Sequence, residues 1–181
     1  VGFAYCDSYE IISTIDKEKV LDIAFRNNVD GILTIASDRP MITVAYVSEK
    51  LRLNGISMYT AERTTNKYLM RSVLKENEIP IPLFCKIDNG DELLDKIKMM
   101  GEKCIIKPID NSGSRGVSLV YKDNIKQCLD AYNYAAKNSR TGSVLLEEYM
   151  EGPEISVETI TYNDKTYICS ITDKLTTGAP H

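Results

Sequence analysis

The stretch CIIKPIDNSGSRG, residues 104–116, carries most of the fold prediction. It opens as an apolar β-strand, ends that strand on Lys107 and Pro108, and continues into a loop with two glycines and two serines. A lysine that is buried without a partner is costly, because its charge loses its water shell. Lys107 is therefore either a lysine whose stem is buried while its ammonium reaches water, or a cation placed to meet a bound anion.

The loop after Lys107 favours the second interpretation. Gly113 and Gly116 allow backbone N–H groups to converge on an anion, and Ser112 and Ser114 add hydroxyl donors. A turn that merely joins two strands of a hairpin is the ordinary alternative. In a protein kinase the glycine-rich loop precedes the strand lysine, whereas here it follows Lys107, so a protein kinase is excluded. The Walker pattern G-x-x-x-x-G-K-[ST] is also absent.

Composition narrows the class of protein. The 181 residues carry a net charge of −4, with 43% hydrophobic and 27% charged residues, as in an ordinary soluble domain. We therefore expect no nucleic-acid partner and no membrane span. Five scattered cysteines without C-x-x-C spacing indicate reduced thiols and a cytoplasmic protein. The one histidine, His181, argues against a histidine-based catalytic or metal site within the chain.

The N-terminal part alternates strand and helix signals. Residues 9–14 (YEIIST) and 30–37 (DGILTIAS) are predicted strands, and Asp16 is predicted to cap the helix between them. This pattern is typical of a doubly wound parallel sheet. Residues 64–78 then predict one helix with a threonine cap, which the prolines of IPIP end.

The remainder predicts an α+β unit. Strand, helix, strand, loop, strand, helix and strand follow one another, and short connections favour partly antiparallel pairing. After EGPE, two further strands, ISVETITY and KTYICSI, are predicted to pair through a turn at Asn163 and Asp164. The chain starts on Val1 rather than methionine and stops in mid-segment, so we expect it to be part of a longer protein.

Two further groups of charges are candidate ligand contacts. Lys67 lies in the first turn of the predicted helix over residues 64–78, where the helix dipole disfavours a cation unless an anion is near. In LLEEYMEGPE, residues 145–154, a strand runs into several acids. Glu147 suits the amino group of adenine and Glu154 the ribose hydroxyls, whereas solvated surface charges are the alternative for both groups.

The order of Lys67, IIKP, SGSRG and EEYMEGPE resembles the ATP-grasp superfamily, in particular its carbamoyl-phosphate-synthase-like and phosphoribosylglycinamide-synthetase-like members. The resemblance implies α/β and α+β architecture. Residues 1–62 would be the end of a Rossmann-like pre-ATP-grasp domain, 63–78 a linking helix, 79–148 the lid subdomain, and 149–181 the start of the large subdomain.

The resemblance also implies an ATP-dependent ligase that joins a carboxylate to an amine or ammonia through an acyl phosphate. Lys67 and Lys107 would bind phosphates, and Ser112, Gly113, Ser114 and Gly116 would form the mobile loop over them. Glu147, Glu148 and Met150 would meet adenine, Glu154 the ribose, and Lys174 the acyl phosphate.

The resemblance places the Mg²⁺ ligands beyond residue 181, so we expect no metal site within the chain and no turnover by it alone. ATP or ADP and small carboxylate and amine substrates are the expected partners, and a homodimer is a further expectation. Two alternatives remain, namely a regulatory nucleotide-binding module without catalysis and an α/β interaction domain without a nucleotide site.

Overall fold

The computed structural model describes residues 2–175, which form two compact units that divide between Ile79 and Pro80. The architecture is mixed α/β, which confirms the predicted fold class. His181 lies outside the described residues.

The regular secondary structure in the described part of the first unit consists of helices. After a short 3₁₀ turn, it contains four helices, each packed against the next: α1 (Lys17–Arg26), α2 (Met41–Leu51), α3 (Met58–Thr65) and α4 (Lys67–Glu76). As predicted, Asp16 caps α1, and its carboxylate accepts a hydrogen bond from the backbone N–H of Lys19. Small side chains such as Ala45, Val47 and Ala61 fill the helix contacts and are fully buried.

The two strands predicted in this unit are wrong. Residues 9–14 and 30–37 contain no assigned strand, and Ile11, Leu33 and Ile35 are 82%, 78% and 81% exposed. A strand is stable only when neighbouring strands accept and donate its backbone hydrogen bonds. The described part of this unit offers these two runs no such neighbour, so their apolar periodicity does not lead to a sheet.

The helix predicted over residues 64–78 corresponds to α4, which begins after Asn66, whereas Thr64 and Thr65 end the preceding helix α3. Asn66 has extended backbone angles, and its side chain accepts a hydrogen bond from the backbone N–H of Leu69, so it caps α4. The predicted threonine cap is wrong, since Thr65 is the last residue of α3 and its hydroxyl donates to the carbonyl of Ala61 at 2.8 Å. Asparagine is among the strongest helix caps.

The second unit is built on a four-stranded sheet. The strands are β1 (Phe84–Ile87), β2 (Lys103–Pro108), β3 (Ser118–Tyr121) and β4 (Val144–Glu148). Their spatial order is β1-β4-β2-β3, and every neighbouring pair is antiparallel. Helices α5 (Gly90–Lys96) and α6 (Ile125–Asn138) pack on one face of this sheet.

The core lies between that face and the two helices. Side chains from all four strands and from α5 and α6 form one buried cluster, with Ile87, Leu93, Cys104, Ile106, Val120, Cys128, Val144 and Leu146 each fully buried. Fully burying an aliphatic side chain contributes about 1.5–3 kcal/mol. This cluster is the main source of stability for the sheet and fixes which face of β2 and β4 points away from the helices.

A hairpin of β5 (Ile155–Tyr162) and β6 (Lys165–Asp173) ends the described chain. The predicted turn is confirmed, since Asn163 and Asp164 join the strands with φ angles of 47° and 58°. Two consecutive positive φ angles are typical of a type I′ turn, whose twist matches the strands on either side.

Candidate functional site

Lys107 and Glu147 form an ion pair on the sheet face opposite the helices. Their side chains are 17% and 4% exposed, respectively, which makes both charges largely desolvated. The sequence places Lys107 correctly at the end of a strand, and the structure adds that its ammonium has a carboxylate partner. The buried charge expected from CIIKP is therefore compensated.

Strand periodicity explains why the two charges meet. Along β2, Cys104 and Ile106 point into the core, so Ile105 and Lys107 occupy the opposite face. In the register of β2 and β4, Ile105 lies opposite Glu147, and Lys107 lies opposite Leu145. Lys107 and Glu147 are thus diagonal neighbours, a separation that long side chains span.

Two apolar residues that the sequence analysis did not single out share this face. Ile105 and Leu145 lie at the alternate positions beside the charge pair, and Leu145 is fully buried although it belongs to no part of the helix-side core. Side chains on one face of a strand recur at every second residue. Counting back two positions from Lys107 and from Glu147 would therefore have identified Ile105 and Leu145. The face therefore places one cation and one anion next to two aliphatic side chains.

The glycine-rich loop, residues 109–117, connects β2 to β3. Its tip, residues 112–115, is exposed, whereas Gly116 is buried. Gly113 and Ser114 have φ angles of 69° and 57°, so two consecutive residues of the tip are in the left-handed region. A Cβ atom on Gly113 would have no other atom within 4 Å, so this part of the loop is open to a ligand.

The end of β4 and the residue after it are hydrogen-bonded to segments on both sides. The N–H of Glu148 donates to the carbonyl of Leu83 at 2.8 Å, and the Glu148 carboxylate accepts from the N–H of Leu83 at 3.2 Å. The N–H of Tyr149 donates to the carbonyl of Lys103 at 3.3 Å. Met150 follows and is 65% exposed.

Glu151 and Lys103 form an ion pair next to this exit. The hydrogen bond to Glu151 is the main reason why the pKa of Lys103 is raised above its ordinary value. The pair links the start of β2 to the segment that leaves β4, and it was not predicted from the sequence because the two residues are far apart in the chain.

Glu154 and Lys174 lie together at the open end of the hairpin. The Lys174 ammonium is 2.7 Å from the Glu154 carboxylate, and the N–H of Lys174 donates to the Glu154 carbonyl at 2.9 Å. Their predicted roles at the ribose and the acyl phosphate stay predictions. Each side chain would have to exchange this partner for a ligand.

Lys67 belongs to the first unit, where it is the first residue of α4 and half-buried. The helix therefore presents a cation at its positive end, as the sequence predicts. Its role at a phosphate stays a prediction.

Neither a candidate metal cluster nor a membrane-spanning helix occurs within residues 2–175. This range holds no group of three or more His, Cys, Asp or Glu side chains arranged to bind a metal ion. None of the helices described there is both long and apolar enough to cross a bilayer.

The described chain shares its fold with two enzymes that were solved in complex with ADP. An N5-carboxyaminoimidazole ribonucleotide synthetase solved in complex with ADP superposes with a TM-score of 0.78 at 14% identity, covering 96% of this chain and 44% of that one. The biotin carboxylase domain of the Hydrogenobacter thermophilus 2-oxoglutarate carboxylase, solved as a dimer with MgADP, ADP and bicarbonate, gives a TM-score of 0.76 at 18% identity, covering 94% and 41%.

Sequence comparison assigns the family. The family sequence model of the ATP-grasp domain matches residues 64–179. This chain therefore belongs to the ATP-grasp family. It is 31% identical over 157 residues to the phosphoribosylamine–glycine ligase of Pyrococcus abyssi, a match that covers 83% of this chain and 35% of that protein. The chain thus spans about a third of the length of this relative, and the predicted resemblance is confirmed.

Proposed function

We propose that this chain is the ATP-binding part of an ATP-dependent ligase that joins a carboxylate to an amine or ammonia through an acyl phosphate. The observation that carries the proposal is the largely desolvated Lys107–Glu147 pair on the sheet face opposite α5 and α6. Membership of the ATP-grasp family and the glycine-rich loop directly after β2 support it.

Lys107 is the proposed phosphate ligand. Glu147 compensates its charge, so the fold avoids an isolated buried cation at this position. A phosphate has more negative charge than one carboxylate and forms short charge-assisted hydrogen bonds with an ammonium. A phosphate brought to this face therefore competes effectively for Lys107.

Glu147 then becomes available as a hydrogen-bond acceptor for the amino group of adenine. The backbone around Glu148 and Met150 would meet the edge of the base, and Ile105 and Leu145 would contact its apolar surface. The exposed tip, with Ser112, Gly113 and Ser114, would cover the phosphates. Gly116 would hold the buried end of the loop in place.

ATP supplies the phosphoryl group that activates the carboxylate. Catalysis of such a transfer consists mainly of positioning and electrostatic stabilisation, which are the contributions expected of Lys107 and the loop. The proposed roles of Lys67, Glu154 and Lys174, the Mg²⁺ requirement, a homodimer and a cytoplasmic location belong to the same proposal.

Calorimetric titration of the chain with ADP in the presence of Mg²⁺ tests this function. We expect micromolar affinity, about −8 kcal/mol, for the natural sequence. Lys107→Met should abolish most of the binding, because it removes the cation but keeps the aliphatic stem.

Lys122→Met is the matched control. Lys122 is also a half-buried lysine of this unit, but its ammonium donates to the carbonyl of Met100 at 3.2 Å, next to the helix-side core. The Lys122→Met variant should bind ADP with the same affinity as the natural sequence. Lack of ADP binding by the natural sequence, or equal loss in both variants, would contradict the proposal.

A further inference from the structure

Both ends of the glycine-rich loop rest on one short segment, residues 138–141, which we call the anchor segment. It joins the end of α6 to the start of β4. Asp110 and Asn111 contact it from the beginning of the loop, and Gly116 contacts it from the end.

Asp110 makes the densest set of these contacts. It is only 8% exposed, and its carboxylate accepts three hydrogen bonds of 3.0 Å from the anchor segment. The donors are the Ser139 hydroxyl and the backbone N–H groups of Arg140 and Thr141. Burial raises the pKa of Asp110, but these hydrogen bonds outweigh it and leave the pKa below its ordinary value.

The anchor segment also binds the main chain of the loop. The guanidinium of Arg140 donates to the carbonyl of Asp110 through Nε at 2.9 Å and through Nη2. The side-chain amide of Asn111 donates to the carbonyl of Asn138 at 2.8 Å. The anchor segment therefore holds both the side chain and the backbone carbonyl of Asp110.

Gly116 closes the other end of the loop by close packing. A Cβ atom there would lie 2.7 Å from Cγ of Pro108 and 2.9 Å from Cβ of Asn138, so no larger residue fits without a shift. With both ends held, the exposed tip at residues 112–115 is the part of the loop left to respond to a ligand.

We infer that Asp110 and Arg140 are positioning residues. They hold the glycine-rich loop in the position at which its tip contacts the phosphates of the bound nucleotide. This inference rests on the proposed function for the ligand, and on the hydrogen bonds above for the anchor. Neither residue touches the nucleotide; both act through the backbone of the loop.

Limited proteolysis tests the anchor without any ligand. Arg115 is an exposed trypsin site in the tip, whereas Lys103 in β2 reports opening of the sheet. In Asp110→Asn we expect cleavage after Arg115 to accelerate about fivefold to tenfold relative to cleavage after Lys103, because loss of a charged acceptor populates the released loop. An unchanged ratio would overturn the anchor.

Asp88→Asn is the matched control. The Asp88 carboxylate accepts a hydrogen bond from the Ser143 hydroxyl at 2.6 Å, next to the start of β4, and pairs with the Lys86 ammonium at 3.0 Å. Neither of these partners belongs to the glycine-rich loop. This variant should leave the cleavage ratio unchanged. An equal increase in both variants would mean that general destabilisation, not the anchor, controls the loop.

Titration with ADP and with adenosine separates positioning from damage. Asp110→Asn should weaken ADP binding by about fivefold and leave adenosine binding unchanged, because only the phosphates meet the loop. Equal weakening of both ligands would contradict a positioning role. If the natural sequence binds neither ligand while the cleavage ratio still rises in Asp110→Asn, the anchor stands and the proposed function fails.

Discussion

The ammonium of Lys107 pairs with the carboxylate of Glu147 across two antiparallel strands, on the sheet face opposite α5 and α6. One strand contributes the cation and the next contributes the anion, and aliphatic side chains lie beside both. Because each charge compensates the other, this largely desolvated position costs less than it would for an isolated lysine.

Removing one partner of this pair should destabilise the protein. Glu147→Gln and Lys107→Met should each lower the free energy of unfolding by roughly 1–3 kcal/mol, because each leaves the other charge without compensation. The double variant should recover part of this loss. Urea denaturation of the four proteins as a double-mutant cycle measures the coupling, and simple additivity of the two losses would contradict the pairing.

Alanine at two glycines of the loop should have unequal effects. Gly113→Ala has open space and costs only the left-handed backbone strain, about 1–2 kcal/mol. Gly116→Ala adds a clash with Pro108 and Asn138 to a φ of 79°, so it should cost at least about 1 kcal/mol more. Thermal or urea unfolding of the two variants makes the comparison, and equal losses would show that Gly116 is not closely packed.

Acid should weaken the anchor of the glycine-rich loop. The pKa of Asp110 is lowered in the folded protein, so its contribution to stability is complete above its unfolded pKa of about 3.9 and is lost as the pH falls through the folded value. The difference in unfolding free energy between the natural sequence and Asp110→Asn should therefore be largest near neutral pH and shrink below about pH 4. A difference that stays constant over this range would mean that the Asp110 charge does not contribute.

The cysteines should differ in reactivity towards a thiol reagent at mildly alkaline pH. Burial raises the pKa of Cys104 to about 11 and also raises the pKa of Cys128, whereas Cys6 and Cys169 are exposed. We expect Cys6 and Cys169 to be labelled rapidly, and Cys104 and Cys128 only after unfolding.

Mass spectrometry of the labelled peptides identifies the reacting thiols. Cys169→Ser should remove one rapid equivalent and leave the slow cysteines unchanged. Labelling of Cys104 as fast as Cys169 in the folded protein would contradict the core position of β2.

Short-range patterns in the sequence are sufficient for much of this fold. The alternation in CIIKP places Lys107 opposite the core side of its strand, and Asp16 and the Asn163–Asp164 turn act where the sequence predicts. Each of these features depends on residues within a few positions of one another, where helix capping, turn geometry and the period of a strand operate. The order of the motifs was likewise enough to indicate the family.

Short-range patterns do not predict which distant segments of the chain pair with each other. The register of β2 and β4 selects Glu147 as the partner of Lys107, and the turn after α6 brings Arg140 to Asp110. The same dependence explains the failed prediction for residues 30–37, whose apolar run is strand-like but has no neighbouring strand among the described residues. Backbone hydrogen bonds across a sheet and compensation of buried charges require partners far along the chain, so only the folded arrangement determines which residues meet.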